Sequence, residues 1–137
     1  QGCKVQKAYH SMWEAIKLEV LADLDKLNSK QDQSSYNPGI SLGGGLAVIS
    51  FIDIFHAGIF DIVEVITFGA PRVGNKQWAA YFDSITSSKT ERFVVSGDPI
   101  VDMPRCLTLL CSYQQTGINM FVMRANSFVK EKQLQVN

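Results

Sequence analysis

Residues 39–68 read GISLGGGLAVISFIDIFHAGIFDIVEVITF, and this stretch decides the fold. A glycine-rich turn over Gly39–Gly45 precedes an apolar segment, which predicts a helix that continues to about His56 and stops at Gly58. Residues 62–68, IVEVITF, are rich in β-branched side chains and nearly continuous in apolar character, as a buried parallel strand is. A turn, a helix and a buried strand in this order are typical of a βαβ unit and predict a parallel sheet.

Two more helices are predicted on either side of this stretch. Residues 8–28 place apolar side chains at three- and four-residue steps, which predicts an amphipathic helix. After a turn over 69–74, Asn75 is expected to cap a short helix over 76–83. That helix would bury Trp78, Ala79 and Phe82.

Two further strands are predicted, over 92–96 and, more weakly, over 118–123, before a polar tail from Lys130. By contrast, residues 31–38, QDQSSYNP, hold few apolar side chains and several turn formers, and proline removes a hydrogen-bond donor from a strand. We therefore expect a loop, or at most a fragment of strand, directly before the glycine-rich turn. Alternating helices and strands over residues 1–137 predict a single domain of the α/β class.

The charge balance of the chain excludes several classes of protein. Among 137 residues there are 13 basic and 13 acidic side chains, mixed along the sequence, whereas a nucleic-acid-binding protein normally shows a basic stripe. No apolar run reaches the roughly 18–20 residues that a membrane span needs. The first residue is Gln1 and no basic-then-apolar leader follows it, so we expect the chain to begin after processing or partway through a longer protein.

Three cysteines, Cys3, Cys106 and Cys111, form an odd set. They lack the spacing of a zinc site, so no metal site is predicted at them. Two alternatives remain for them: free thiols, or one disulfide with a leftover thiol, which would fit a secreted protein.

The sequence Gly39-x-Ser41-x-Gly43 has the spacing of a nucleophile elbow, the sharp strand-to-helix turn that presents a catalytic serine. In such a turn the serine backbone is strained, and we expect the glycines two residues before and two residues after it to prevent clashes. The amide of Leu42 would then point toward a developing oxyanion. The alternative is an ordinary glycine-rich turn before a helix. Nucleotide-binding loops are excluded. The dinucleotide-binding pattern G-x-G-x-x-G does not fit when it starts at Gly39 or at Gly43, and the P-loop pattern has Gly45 where lysine is required.

A carboxylate that could act with Ser41 follows the strand predicted over 92–96. Asp98 lies in a Gly-Asp-Pro turn directly after that strand, where an α/β sheet displays functional side chains. A turn-forming aspartate before proline is the alternative interpretation. Asp102 is a competing carboxylate, although a solvated loop residue is the simpler interpretation there.

Three blocks of sequence resemble the fungal-type (class 3) lipases, a family of α/β-hydrolases that act on triacylglycerols and related esters. Residues 39–47, GISLGGGLA, resemble the family's GHSLGGALA elbow, and residues 66–75, ITFGAPRVGN, match its TFGxPRVGN block almost residue for residue. Residues 92–104, RFVVSGDPIVDMP, resemble the strand and loop that deliver the acidic residue of the triad. The resemblance extends from about residue 3 to about residue 118.

The resemblance implies an α/β-hydrolase fold and a lipase-like serine ester hydrolase that acts on acylglycerols or related lipid esters, with a lipid–water interface as a partner. It implies that Ser41 is the nucleophile, that Asp98 orients a histidine, and that the Leu42 amide is an oxyanion donor. No cofactor is implied, because the nucleophile belongs to the protein. Residues 1–137 would be the central part of the domain, without its first strands and without the segment that carries the catalytic histidine.

Several departures from the family pattern support a second interpretation. No histidine follows Asp98 within these residues. Of the two upstream, His10 lies near the start of the first predicted helix, and His56 lies at the far end of the helix after the elbow, roughly 22 Å from Ser41 at the usual rise. At two further positions the family usually has a histidine and this chain does not: Ile40 lies in the elbow, and Gln115 lies where the family often has a non-catalytic histidine. The alternative function is a catalytically degenerate lipase-fold domain that binds lipid or protein.

Overall fold

The structure is a computed structural model that describes residues 2–28, 35–60, 62–86, 90–105, 113–117, 119–124 and 127–132. Its helices are α1 (Lys7–Asn28), α2 (Leu42–Ala57) and α3 (Lys76–Thr86). Its strands are β1 (Ser35–Ile40), β2 (Ile62–Phe68), β3 (Gly74–Asn75), β4 (Thr90–Val95), β5 (Tyr113–Gln114), β6 (Asn119–Arg124) and β7 (Ser127–Lys132).

Five of these strands form one sheet in the order β1-β2-β4-β6-β7. The first four are parallel, β7 returns antiparallel to β6, and β3 pairs separately with β5. Each connection from β1 to β4 steps in the same direction across the sheet, and right-handed crossovers then place α2 and α3 on one face. The predicted α/β class, with a mostly parallel sheet flanked by helices, is confirmed.

The core lies between this sheet face and the three helices. Trp78 and Phe82 of α3 are buried, as the sequence predicts, and their rings stack with centroids 5.6 Å apart. Phe51 of α2 packs edge-on against Phe82 with a centroid distance of 5.5 Å. Trp13 of α1 donates an indole hydrogen bond to Asp53 of α2 over 2.5 Å. Aromatic side chains therefore attach α1 to α2 and α2 to α3.

Of the two alternatives for the segment before the glycine-rich turn, the structure shows the fragment of strand over residues 35–38 rather than a loop. They belong to β1, which pairs along its length with β2, while residues 31–34 lie outside the described residues. The Ser41 amide donates to the Phe68 carbonyl over 2.8 Å, and backbone direction alternates along a strand, so Pro38 points its missing donor away from β2. The side chain of Asn37 donates to the Ala47 carbonyl over 2.9 Å and attaches β1 to α2. Tertiary pairing therefore overrides the turn-forming sequence.

The other predicted elements differ from the structure mainly at their ends. Helix α1 begins one residue before the predicted 8–28, α3 continues three residues beyond 83, and β6 is displaced by one residue from 118–123. β4 begins at Thr90, two residues early, and ends at Val95. β7 was not predicted, because its polar half from Lys130 resembles a tail. It forms as an edge strand against β6, where polar side chains are tolerated.

Candidate active site

Ser41 lies in the turn between β1 and α2, at the N-terminus of the helix as predicted. Its backbone has φ 50° and ψ −124°. Among the described residues it is the one non-glycine residue with positive φ, a conformation that costs about 1–3 kcal/mol. The side chain is exposed and makes no capping hydrogen bond to the helix. The strained turn therefore presents a hydroxyl that the helix does not use.

The glycines that cannot accept a Cβ atom near Ser41 differ from the two that the five-residue motif predicts. A Cβ atom at Gly39 would lie 2.4 Å from the Gly43 carbonyl oxygen, so this glycine is required, as expected. A Cβ at Gly43 would meet nothing within 4 Å, so the expectation that Gly43 prevents a clash is wrong. The crowded positions are the next two, and a Cβ at Gly44 would lie 2.8 Å from the Ala70 side chain. Gly44 is crowded because α2 packs closely on the segment that follows β2.

Leu42 is the first residue of α2, where backbone N–H groups lack acceptors within the helix. The turn is closed instead by the Gly44 amide, which donates to the Ser41 carbonyl over 3.0 Å. The partial positive charge of the helix N-terminus adds to the field at this point. A negative charge that develops beside Ser41 would meet favourable electrostatics here, and the role of the Leu42 amide stays a prediction.

Asp98 lies in the turn after β4, and the backbone holds it in place. Its amide donates to the Val95 carbonyl over 3.0 Å, and its Oδ1 accepts the Ile100 amide over 2.8 Å. Gly97 has φ 88°, which closes the turn. The other carboxylate oxygen, Oδ2, lies against Gly69, where a Cβ atom would be 3.2 Å away. One oxygen of the carboxylate is thus used by the turn, and the other faces the end of β2.

The sheet brings Ser41 and Asp98 to the same edge. Ser41 follows β1, Asp98 follows β4, and β2 lies between these two parallel strands. The Ser41 amide bonds to Phe68 at the end of β2, and the Gly69 amide bonds to the Phe93 carbonyl of β4, both over 2.8 Å. Two strand spacings, about 10 Å, separate β1 from β4. The serine and the carboxylate thus follow strands that are separated by one strand, β2.

The loop that carries Asp98 is anchored by two residues that sequence reasoning missed. The Arg72 amide donates to the Met103 carbonyl over 2.7 Å, and its guanidinium lies 3.2 Å from the Asp102 carboxylate. The side chain of Gln115 donates to the Val101 carbonyl. Arg72 belongs to the ITFGAPRVGN block, but its role depends on a contact thirty residues away. Asp102, the competing carboxylate, is therefore engaged by Arg72.

A buried guanidinium, that of Arg92, lies behind β4 on the side of the helices. Arg92 is 3% exposed, and burial lowers the pKa of its guanidinium to about 10. The nearby Asp83 carboxylate acts in the opposite direction and raises the pKa of Arg92. Burial in turn raises the pKa of Asp83 itself. Asp83 accepts the Gly117 amide over 2.7 Å. These contacts fix the segment 113–117 against α3 and β4.

Among the described residues, neither histidine is hydrogen-bonded to Ser41 or Asp98. His10 is an exposed residue of α1, 4.0 Å from Glu14. His56 lies in the last turn of α2 and shares a 2.7 Å hydrogen bond with Tyr81 of α3. Among the described residues, the site thus contains a serine and a carboxylate but no imidazole beside them.

Other predicted features bear on the class of site. No cluster of three or more metal-ligating side chains occurs in the part of the chain that the structure describes. Within the same ranges, no helix is both long and apolar enough to cross a membrane. Cys3 is an exposed free thiol, while Cys106 and Cys111 lie outside the described residues.

Comparison with known proteins shows which family of sequences the chain matches. Residues 1–108 match the sequence profile of a family described as Lipase (class 3). Over 91 residues the chain is 32% identical to Lipase ZK262.3 of Caenorhabditis elegans, a match that covers 65% of this chain and 26% of that protein. Over 86 residues it is 33% identical to Lipase A of Sodiomyces alcalophilus, covering 61% of this chain and 20% of the relative.

Solved structures extend the likeness to nearly all of the fold. The triacylglyceride lipase of Rhizomucor miehei superposes with a TM-score of 0.82 at 23% identity, covering 95% of this chain and 49% of that one. At this identity the likeness shows the fold alone, which is that of the α/β-hydrolases. The chain spans about half the length of this solved lipase, and its matches cover 26% and 20% of the two curated relatives.

Proposed function

Because the chain belongs to the class 3 lipase family, we propose that residues 1–137 form the central part of a serine ester hydrolase domain that acts on acylglycerols or related lipid esters. One observation carries the proposal. Ser41 is held at positive φ on a strand-to-helix turn with its hydroxyl unused, at the same sheet edge as Asp98. Strained backbone at a residue with a side chain is characteristic of functional sites.

The chemistry follows from these positions. Ser41 Oγ would attack the acyl carbonyl while a histidine from outside these residues takes its proton, and the Leu42 amide would stabilise the oxyanion. The histidine would then protonate the departing alcohol, leaving an acyl-serine ester that water hydrolyses by the reverse steps. Asp98 Oδ2 would accept a hydrogen bond from the imidazole and hold its orientation. No cofactor takes part in these reaction steps.

A lipid substrate and a lipid–water interface are favoured by the surface around Ser41. Large apolar side chains are exposed next to it, with Ile40 72% and Leu42 53% accessible. The loop of Asp98 adds Ile100 and Met103, which are 42% and 47% exposed. Apolar side chains at the rim of a site suit an acyl chain and the surface of a lipid droplet better than a polar substrate.

The experiment supplies the missing base from solution. The chain by itself should hydrolyse p-nitrophenyl butyrate barely above background, because loss of the base alone costs several orders of magnitude. Imidazole itself hydrolyses this ester, so the rate measured with imidazole in the absence of protein is subtracted. The remaining imidazole-dependent rate should rise in proportion to the imidazole concentration. Ser41→Ala should abolish this imidazole-dependent rate, and Asp98→Asn should lower it by roughly tenfold or more. Asp102→Asn is the matched carboxylate control: it keeps an oxygen that can accept a hydrogen bond from Arg72, so it should leave the rate nearly unchanged.

Equal imidazole-dependent rates for the chain and for Ser41→Ala would contradict the proposed nucleophile. Turnover in the ordinary enzyme range without imidazole, abolished by Ser41→Ala, would mean that His10, His56 or a partner chain supplies the base. In that case His10→Ala would be the next variant to measure.

The second candidate, a degenerate domain that binds lipid or protein, is favoured by the sheet face opposite the helices. Tyr36, Ile40, Phe68 and Val95 lie on this face and are 59%, 72%, 42% and 50% exposed. A binding module of this kind should cosediment with phosphatidylcholine vesicles, retain binding as Ser41→Ala and lose it as Ile40→Asp. Leu18→Asp, at an 82% exposed site on α1, is the control.

A further inference from the structure

Gly69 lies between the two proposed catalytic side chains. It directly follows β2, the strand that separates β1 from β4, and its φ is 58°. Its neighbour Phe68 accepts the Ser41 amide, and its own amide donates to Phe93. Any imidazole that reaches from Asp98 to Ser41 must therefore pass over the backbone of Gly69.

The Asp98 carboxylate has little freedom to avoid this residue. Its Oδ1 is held by the Ile100 amide at 2.8 Å, which restricts rotation of the carboxylate. Its Oδ2 would then lie only 3.2 Å from a Cβ atom at Gly69. A methyl group there is closer than ordinary van der Waals contact, so Oδ2 would have to move by a few tenths of an ångström.

We infer that Gly69 is a positioning residue for Asp98: because it has no side chain, Oδ2 keeps the place from which it can hold an imidazole, and the space over the end of β2 stays clear. This inference rests on the proposed function. Catalytic geometry loses about 10²-fold in rate for a displacement of 1 Å. A displacement of a few tenths of an ångström therefore corresponds to a loss of roughly 4- to 10-fold.

The chain offers a matched control for the strain that alanine creates at positive φ. Gly58, after α2, has φ 63°, nearly the same as Gly69, and a Cβ there would meet nothing within 4 Å. Gly97, in the Asp98 turn itself, has φ 88° and is equally open. Gly69→Ala and Gly58→Ala thus share the backbone strain, and Gly69→Ala alone adds the contact with Oδ2.

The test compares the unmodified chain with Gly69→Ala, Gly58→Ala and Gly97→Ala. Gly69→Ala should lower the Ser41-dependent, imidazole-dependent hydrolysis of p-nitrophenyl butyrate about 4- to 10-fold, while the thermal midpoints of Gly69→Ala and Gly58→Ala stay alike. The amide resonance of Ile100 reports its hydrogen bond to Asp98 and should shift only in Gly69→Ala and in Gly97→Ala, which lies beside Asp98. Gly97→Ala is the positive control for a displaced carboxylate, because Gly97 closes the turn that holds Asp98 and its replacement should also lower the imidazole-dependent rate.

Two outcomes would overturn the inference. One is an Ile100 resonance in Gly69→Ala that matches the unmodified chain. The other is an imidazole-dependent rate that falls equally in Gly69→Ala and Gly58→Ala, which would assign the loss to backbone strain. A chain that shows no Ser41-dependent rate with imidazole would instead contradict the proposed function, and the Ile100 resonance would still decide whether Gly69 positions the carboxylate.

Discussion

Replacing Gly45 with alanine should destabilise the protein, whereas the same change at Gly43, on the same helix, should stabilise it. A Cβ at Gly45 would lie 2.5 Å from Cε1 and 2.6 Å from Cζ of Tyr9, and Tyr9 is only 2% exposed. The ring cannot move aside without disturbing the core between α1 and α2. Overpacking of this kind costs about 1–3 kcal/mol.

The comparison of the two variants isolates the clash. Both gain up to about 1 kcal/mol because alanine favours the helix more than glycine does. At Gly43 nothing opposes this gain, since no atom lies within 4 Å of the new Cβ. The free energies of unfolding should therefore differ by about 1–3 kcal/mol, or roughly 3–10 °C in thermal midpoint for a domain of this size.

Urea and thermal unfolding followed by far-UV circular dichroism measure this difference. Tyr9→Leu should remove the clash, so the cost of Gly45→Ala should largely disappear in the double variant. Equal stabilities for Gly43→Ala and Gly45→Ala would refute the reasoning. So would a double variant that is destabilised by the plain sum of its single changes.

Ser41→Gly should raise the free energy of unfolding by about 1–3 kcal/mol, because glycine adopts φ 50° without strain, while Ser41→Ala should change it little; equal urea midpoints for the two would argue against strain at this turn. Burial raises the pKa of Asp83, so its contribution to stability is complete below the ordinary aspartate pKa of about 3.9 and is lost as pH rises through the raised value. The unfolding free energy of the unmodified chain minus that of Asp83→Asn should accordingly fall as the pH rises above the ordinary aspartate pKa. A difference that stays flat or rises would be inconsistent with this. Gln115→Met removes the donor to Val101, so it should lower the free energy of unfolding by about 1 kcal/mol and speed hydrogen exchange in residues 98–103. Gln115→His retains a donor and should preserve protection. Equal exchange in both variants would exclude the anchoring role.

Contiguous patterns in the sequence determined the elements that carry their own signals. The β-branched run IVEVITF forms β2 over the predicted bounds, and Gly58 ends α2 in the left-handed conformation. Asn75 caps α3 by accepting the Trp78 amide over 3.0 Å. In each case the residues that decide the structure are neighbours in the chain, so propensity and period suffice to predict it.

Strands without such signals were decided by their neighbours in space. β1 contains Pro38 and few apolar residues, yet pairing with β2 and the contact from Asn37 to α2 hold it in the sheet. β7 likewise takes its structure from pairing with β6. Backbone hydrogen bonds between strands are satisfied across the sheet, and no local pattern records which partner supplies them.

The same division applies to the candidate site. The sequence by itself pointed to Ser41 and Asp98, because an elbow motif and a strand-ending Gly-Asp-Pro turn are local. Only the tertiary structure decided that Gly44 rather than Gly43 is crowded, and that Arg72 and Gln115 anchor the acidic loop. These roles depend on contacts between segments that are distant in the chain, and such contacts are determined by how helices and strands pack rather than by the residues beside them.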